Sequence, residues 1–547
     1  MRLACGLSLV AVCACTDGAD SSEPQGTTGG ETDGPGDTSD TEASPGASTS
    51  SGETEASTGP GEGSESTGEA PTDCEPGDSR PCDAMCGVQH CVNGQWAACD
   101  GERSPEVCGN GEDEDCDGED MPCPADALYV DNLLGNDDNA GSEDAPFATL
   151  ERALGAGGPE AFIFLRDTGT GYTGACVEED GVTVFGYDGQ PTIDNLVTCD
   201  GRDTLLYSRA DDVTFENLRL DMSAFPGQRA RALVFSGLPG DPIERNVARF
   251  VDALGPGPNP GGRSMLSASQ CYDCVLEYSS SVGAEEHGIY WTNHQDGSVI
   301  RGNYVSDADG ACLQFNADPE TYEPGDPHLD GIMSGGLVED NVFESCGSLG
   351  GASINLAGVH DTVFRNNVIF GAPLTGGVAM WDDGYSDWGD DGNFDFGCKG
   401  NTFEHNTIDC RACDRHGLSL RNGSTGNRVV GNIILSGSAD AIAADEESLS
   451  GVSIDLNVYT EAAEFELPNG DWVDQASWTR ATGFDPSSVS STPDPLFVSA
   501  DDGDYRLAPG SAAIDLVTDS TTPNDITGTP RPLGSAADAG AFEFVDD

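Results

Sequence analysis

Lysine is almost absent from this chain. It occurs once, at Lys399, and all basic residues together number 23 against 97 acidic ones, for a formal charge of −74. No basic stripe is available to displace counterions from phosphates, which excludes a nucleic-acid binder. The same shortage argues against adsorption to anionic lipid headgroups. Aromatic residues are also sparse, at 7%. Beyond the N-terminus no apolar run approaches the ~20 residues of a membrane helix. Net charge governs solubility and partners rather than topology, so a folded body remains open.

What is present divides the 547 residues into four parts: 1–15, 16–72, 73–125 and 126–547. Residues 1–15 have Arg2 ahead of a short apolar run, the pattern of a signal peptide. Within them Val12-Cys13-Ala14-Cys15 resembles a bacterial lipobox, which implies lipidation at Cys15, with Cys13 as the rival site. Residues 16–72 are mostly Ser, Thr, Gly, Glu, Asp and Pro, with no Lys, Arg or aromatic residue. Such a segment cannot bury enough apolar surface to fold, and its like charges extend it. The expected address is therefore the cell surface or outer membrane, by a lipid anchor and an acidic tether, or secretion.

Residues 73–125 carry eight cysteines: Cys74, Cys82, Cys86, Cys91, Cys99, Cys108, Cys116 and Cys123. In an exported protein these read as disulfides, with a zinc site at Cys82 and Cys86 the alternative. Asp113, Asp115 and Asp117, followed by Gly118, place alternate carboxylates as in the first half of a calcium-binding loop. The glutamate that would complete such a loop is missing, because residue 124 is proline. The stretch Pro105-Glu106-Val107-Cys108-Gly109-Asn110-Gly111, with Asp113-Glu114-Asp115-Cys116-Asp117-Gly118, resembles the metal-binding-motif repeat of bacterial surface proteins. That resemblance implies calcium.

From residue 127 the chain becomes short β-rich runs separated by Gly, Asn and Asp. A phrase ending in asparagine recurs at Asn303, Asn341, Asn367, Asn406 and Asn432, at spacings of 38, 26, 39 and 26. Asn217 and Asn457 fit the same phrase. A repeat of about 25 residues with two or three strands is one coil of a β-helix, and the asparagines are expected in left-handed turns that bond between coils. Leucines at fixed offsets are absent, and a propeller blade would need a longer repeat. A second column, counted back from the asparagines, runs through His287, Asp309, Gly351, Gly376 and His416. The histidines in it read as coil-edge residues.

Two longer stretches bracket this domain. Tyr129-Val130-Asp131, Gly135, Asn139 and Ala145-Pro146-Phe147 resemble the opening motif of right-handed parallel β-helix proteins. Asp494-Pro495-Leu496-Phe497, Asp504-Tyr505-Arg506-Leu507, Asp515 and Asp538-Ala539-Gly540 resemble their closing segment. The expected fold is all-β: a right-handed, single-stranded parallel β-helix over 126–547. That superfamily contains polysaccharide lyases, glycoside hydrolases and surface proteins without known activity, so the fold does not fix the function.

Chemistry is expected on the two coil insertions, 317–336 and 382–398, which leave equivalent points of coils two apart. Trp381, Tyr385, Trp388 and His328 supply sugar-binding surfaces. Asp391, Asn393 and Asp395 present alternate oxygens suited to calcium. By resemblance to β-helix lyases, that calcium would neutralise a uronate and Lys399 would be the base. An extracellular polysaccharide, bound and cleaved with calcium, is the expected partner. The alternatives are a calcium-stiffened adhesion or matrix protein and a glycoside hydrolase with paired carboxylates. Nine cysteines lie in the domain; Cys176–Cys199 and Cys312–Cys346 are expected pairs, with one thiol left over.

Overall fold

The computed structural model describes residues 79–81, 88–92, 95–96, 103–116 and 120–545, except 239, 259–261, 294–295, 318–329, 348–350, 373–374, 383–395 and 438–439. The expected signal peptide, Cys13, Cys15 and the 16–72 linker lie outside these residues. So do Asp117, His328, Tyr385, Trp388, Asp391, Asn393 and Asp395.

Each coil is built from three short strands. Ile289–Thr292, Val299–Arg301 and Tyr304–Ser306 make one coil, and Leu313–Asn316 begins the next. Equivalent strands pair in parallel from coil to coil, which gives three sheets. Sheet I runs from Arg202–Ser208 to Glu464–Glu466 through one strand per coil. Sheets II and III meet at a tight corner. In early coils they are halves of one bent strand, Thr214–Asp221 or Val247–Leu254; later they separate. The chain is a right-handed parallel β-helix, as its repeats imply.

The interior is a stack of like side chains. In sheet II the column Phe215, Ala248, Leu276, Ile300, Val338, Phe364, Phe403, Val429 and Ile454 points inward and is buried throughout. Phe364 and Phe403 stack with centroids 4.5 Å apart and planes 2° from parallel. Each such side chain contributes roughly 1.5–3 kcal/mol on burial.

The recurring asparagines serve a purpose different in detail from the one their sequence suggested. The left-handed position at the corner is the residue before each of them. Asn217, Phe250, Tyr278, Gly302, Asp340, Asn366, His405, Gly431 and Leu456 have φ between 48° and 69°. Asn217 therefore belongs to this column, not to the asparagine column. Asn303, Asn341, Asn367, Asn406, Asn432 and Asn457 are buried one residue later, outside the left-handed region. Asn303 Oδ1 accepts the Ser279 N–H at 3.0 Å, and each later Oδ1 accepts the backbone N–H and side-chain N–H of the asparagine in the coil before it: Asn341 from Asn303 at 2.9 and 3.0 Å, and Asn432 from Asn406 at 2.9 and 2.9 Å. A strained left-handed residue costs about 1–2 kcal/mol. The amide ladder beside it satisfies backbone groups that the sharp corner would otherwise orphan.

The ends and faces are closed differently. A helix, Leu150–Gly157, caps the first coils with Leu150 and Ala153 buried and Thr149 as its N-cap. At the other end Glu464–Glu466 pairs antiparallel with Trp472–Asp474, and the following helix, Gln475–Thr482, buries Trp478. These caps shield the open sheet edge. The C-terminal segment covers sheet III: Phe497, Tyr505, Leu507 and Val517 pack on Val368, Ile433 and Leu435. Residues 103–116 lie near the corner, where Arg103 sits over the Tyr278 ring. In its first coils the outer face of sheet I is covered, where Tyr207 and Val234 pack with Cys199; farther along it carries a groove.

Cys176–Cys199 and Cys312–Cys346 are disulfides, as expected. Cys271–Cys274 and Cys410–Cys413 also pair, and Cys398 is the thiol left over. In the cysteine-rich segment Cys108 pairs with Cys123, and Cys116 is also disulfide-bonded.

Candidate functional site

The outer face of sheet I carries an open groove of about 500 Å³. Its floor is low because the outward residues there are small. Ala379 stands between Asn355 and Ser419 of the neighbouring coils, and Gly351, Ala352 and Gly376 line the adjoining edge. A Cβ on Gly376 would meet the His416 carbonyl oxygen at 2.6 Å, so only glycine lets the two coils approach this closely.

Two tryptophans border the groove. Trp381 ends its sheet I strand, and its Nε1–H donates to Asn355 Oδ1 at 3.1 Å. Asn355 is itself held, since its Nδ2 donates to Gln314 Oε1 at 2.6 Å. Trp472 comes from the antiparallel strand that caps the sheet, and it is 57% exposed. Arg421 lies one coil beyond Trp381 and pairs with Glu466. Arg415 adds an exposed guanidinium.

His416 and Asp440 form one wall. His416 Nδ1 is 3.1 Å from Asp440 Oδ2, with the side chains 28% and 2% exposed. Asp440 Oδ1 has no hydrogen-bond partner among the described residues. Donor atoms of His416, Asp440 and Glu466 lie within 4.8 Å of one another. An imidazole held on a buried carboxylate can move a proton or ligate a metal.

The second-column register explains how these groups meet. Ile289, Leu313, Ile354, Val378, Leu418 and Ile442 are paired in series. His287, Gly376 and His416 each stand two residues before that line. Asp309 and Gly351 do not; they are four and three residues before it, because the turns leading into those strands differ in length. Asp440 does stand two before it, so the column continues from His416 to Asp440. His287 has a different environment from His416. It is half-buried, accepts the Ala311 N–H at 2.9 Å and stacks on Tyr290, and desolvation lowers its pKa.

The two insertions leave sheet I after Leu313–Asn316 and after Gly376–Trp381, with Ala352–Ala357 as the single strand between them. Their tips lie outside the described residues. Of the expected sugar-binding residues, Trp381 is in the groove. Lys399 is not among the groove-lining residues. It sits at the turn between sheets I and II, half-buried, bridged by its backbone to His360. His360 is held below its usual pKa first by burial, against the support of its bond to the Gly397 carbonyl, and further by the Lys399 charge. His416, Asp440, Glu466, Arg421 and Trp472 were not singled out as groove residues by sequence. The one available signal was the 24-residue step from His416 to Asp440.

A second acidic site lies in the cysteine-rich segment. Glu106, Asp113 and Asp115 are all buried, with donor atoms within 4.8 Å of one another. Asp113 and Asp115 were expected here; Glu106 joins them from across the turn. Glu106 accepts the N–H groups of Glu114, Asp115 and Met121 at 2.7, 3.0 and 3.0 Å. Asp115 pairs with Arg249 of the β-helix at 2.7 Å, and Arg249 also bonds Glu216 at 2.8 Å. Burial, opposed by Arg249 and supported by Asp115 and Glu106, pushes Glu216 up to about 7. The oxygen-only donor set of Glu106, Asp113 and Asp115 fits a hard cation such as calcium.

Fold and groove together define a parallel β-helix protein with a groove on the outer face of one sheet. No protein-family model matches the chain, and no curated protein matches it. Solved structures do. Pectate lyase Pel9A is 14% identical, over 77% of this chain and 97% of that one, with a TM-score of 0.46. The A-module of the Azotobacter vinelandii mannuronan C-5 epimerase AlgE6 is 14% identical over 66% and 98%, at 0.44. The alginate lyase of a Paenibacillus species is 14% identical over 58% and 94%, at 0.36. These are likenesses of fold; what the groove can do is set by this chain's own residues. No helix of the described residues is long and apolar enough to cross a membrane.

Proposed function

We propose that this is an exported surface protein that binds an extracellular polysaccharide along the outer face of sheet I. The observation that carries this is the pair of tryptophans, Trp381 and Trp472, bordering a shallow floor of glycine and alanine. Flat rings over a low floor suit the apolar faces of sugar rings, and Asn355, Ser419, Arg415 and Arg421 offer hydrogen bonds to hydroxyl or carboxylate groups. Disulfides throughout the described residues support an oxidising compartment, in keeping with the N-terminal signal. Calcium would be held by Glu106, Asp113 and Asp115, where it would tie the cysteine-rich turn together. The non-catalytic reading gains from one observation: Lys399, the base a lyase would need by resemblance, stands outside the groove.

Affinity electrophoresis against neutral and acidic polysaccharides tests the proposal. Trp472→Ala should weaken binding by about tenfold or more, as expected for an aromatic contact of 1.5–3 kcal/mol. No binding to any polymer, or wild-type binding by both Trp472→Ala and Trp381→Ala, would overturn it. The same screen read by ultraviolet absorbance, with and without calcium, detects the new double bond that lyase cleavage leaves.

A further inference from the structure

We infer that His416, Asp440 and Glu466 form a site for a borderline divalent cation, of the zinc or cobalt kind, in the wall of the groove. The three residues come from three successive coils. His416 and Asp440 occupy equivalent positions, each two residues before a paired position, Leu418 and Ile442. Glu466 lies on the next sheet I strand, paired with Ala443. Their donor atoms fall within 4.8 Å of one another. One imidazole and two carboxylates suit borderline ions, whereas calcium takes oxygen ligands.

Asp440 supplies an independent sign. It is 2% exposed, its Oδ2 faces His416 Nδ1, and its Oδ1 has no hydrogen-bond partner among the described residues. Buried carboxylate oxygens without a donor are rare in native structures. A cation chelated by both Asp440 oxygens would give Oδ1 its missing partner while keeping Oδ2 beside His416 Nδ1. The 3.1 Å between Nδ1 and Oδ2 also fits two ligands of one ion. At metal–ligand distances of about 2.1 Å they would meet it at nearly a right angle. Arg421 bonds Glu466 Oε2 and so orients that carboxylate. The site borders the same cavity as Trp381 and Trp472, so the ion would keep positions open to a ligand oxygen arriving in the groove. That last role rests on the polysaccharide reading; the presence of the ion does not.

Cobalt(II) is the probe, because its visible absorption reports coordination by nitrogen and oxygen. The full chain, stripped of metal and then saturated with calcium to fill oxygen-only sites, is titrated with Co²⁺. A single saturable band is expected, displaced by Zn²⁺. His416→Ala, Asp440→Asn and Glu466→Gln should each weaken it about tenfold or more, while Asp113→Asn leaves it unchanged. Circular dichroism of each variant checks the fold, and the three substitutions on three coils guard against one of them unfolding locally. No saturable band in the wild type, or the wild-type band in folded His416→Ala, overturns the inference. Trp472→Ala separates the two proposals: it should lose polysaccharide binding and keep the cobalt band.

Discussion

Replacing Asn406 by alanine tests the corner ladder most directly. Asn406 is buried, and its Oδ1 accepts Asn367 N at 3.1 Å and Asn367 Nδ2 at 2.9 Å. Its own Nδ2 donates to the Phe364 carbonyl at 2.9 Å and to Asn432 Oδ1 at 2.9 Å. The substitution leaves two buried donors of Asn367 without their acceptor and deprives the Phe364 carbonyl of a donor. Each buried group left unmatched costs about 1–3 kcal/mol, and such costs do not simply add, so a total of about 3–5 kcal/mol is expected. A solenoid need not unfold in one step, so a single melting temperature is a poor readout. Native-state hydrogen exchange resolves the effect by coil. Amides of 363–370 and 402–410 should exchange about two to four orders of magnitude faster, and those of the first coils much less. Asn469→Ala, in the exposed turn between the last two sheet I strands, is the control. If the two variants exchange alike, the ladder is not what holds the corner.

Three further outcomes follow from the structure. Burial pushes Glu216, Asp340 and Glu543 each up to about 7, so the folded chain holds protons that the unfolded chain releases above its ordinary carboxylate range. Stability from these groups is complete below about pH 4 and is lost as pH rises through 7; unfolding by denaturant at pH 5.5 and pH 8 should show this loss, and Asp340→Asn should flatten it, with an unchanged slope counting against the assignment. Cys398 is buried and its thiol is pushed up to about 11, so a thiol reagent should leave it intact in the native protein and label it after denaturation; rapid native labelling would contradict the packing. Trp478→Ala removes a buried ring stacked on Phe465 at 5.4 Å and the Nε1–H donor to Asp485, and should cost about 3–5 kcal/mol, seen as early proteolysis within 464–491 while the central coils stay intact.

The coil repeat was legible because the corner demands one residue type at every turn. An amide that both donates and accepts is needed in each coil from Asn303 to Asn457, so asparagine recurs and its spacing can be counted. What spacing could not tell was which of two adjacent positions took the left-handed backbone, since Asn217, Asn366 and Asn367 look alike in a sequence. The groove was less legible for the opposite reason. Its residues come from successive coils that are free to differ, so His416, Asp440 and Glu466 share no phrase. Trp472 comes from outside the repeat altogether, on the strand that closes the sheet. Lys399 attracted attention as the lone lysine, and rarity proved no guide to position.

The asparagine ladder also bears on how such a protein changes length over generations. Every rung presents the same acceptor to one neighbour and the same donors to the other. A gene segment encoding one whole coil can therefore be duplicated or deleted and the ladder rejoins itself, at a step of about 4.8 Å. A one-residue insertion inside the corner has no such remedy. The connection from sheet I to sheet II tolerates the reverse: the coils of 38 and 39 residues add their extra length after the sheet I strand and leave the ladder unbroken. Lineages of this chain should differ by whole coils and by length between sheets I and II, with the corner conserved in register.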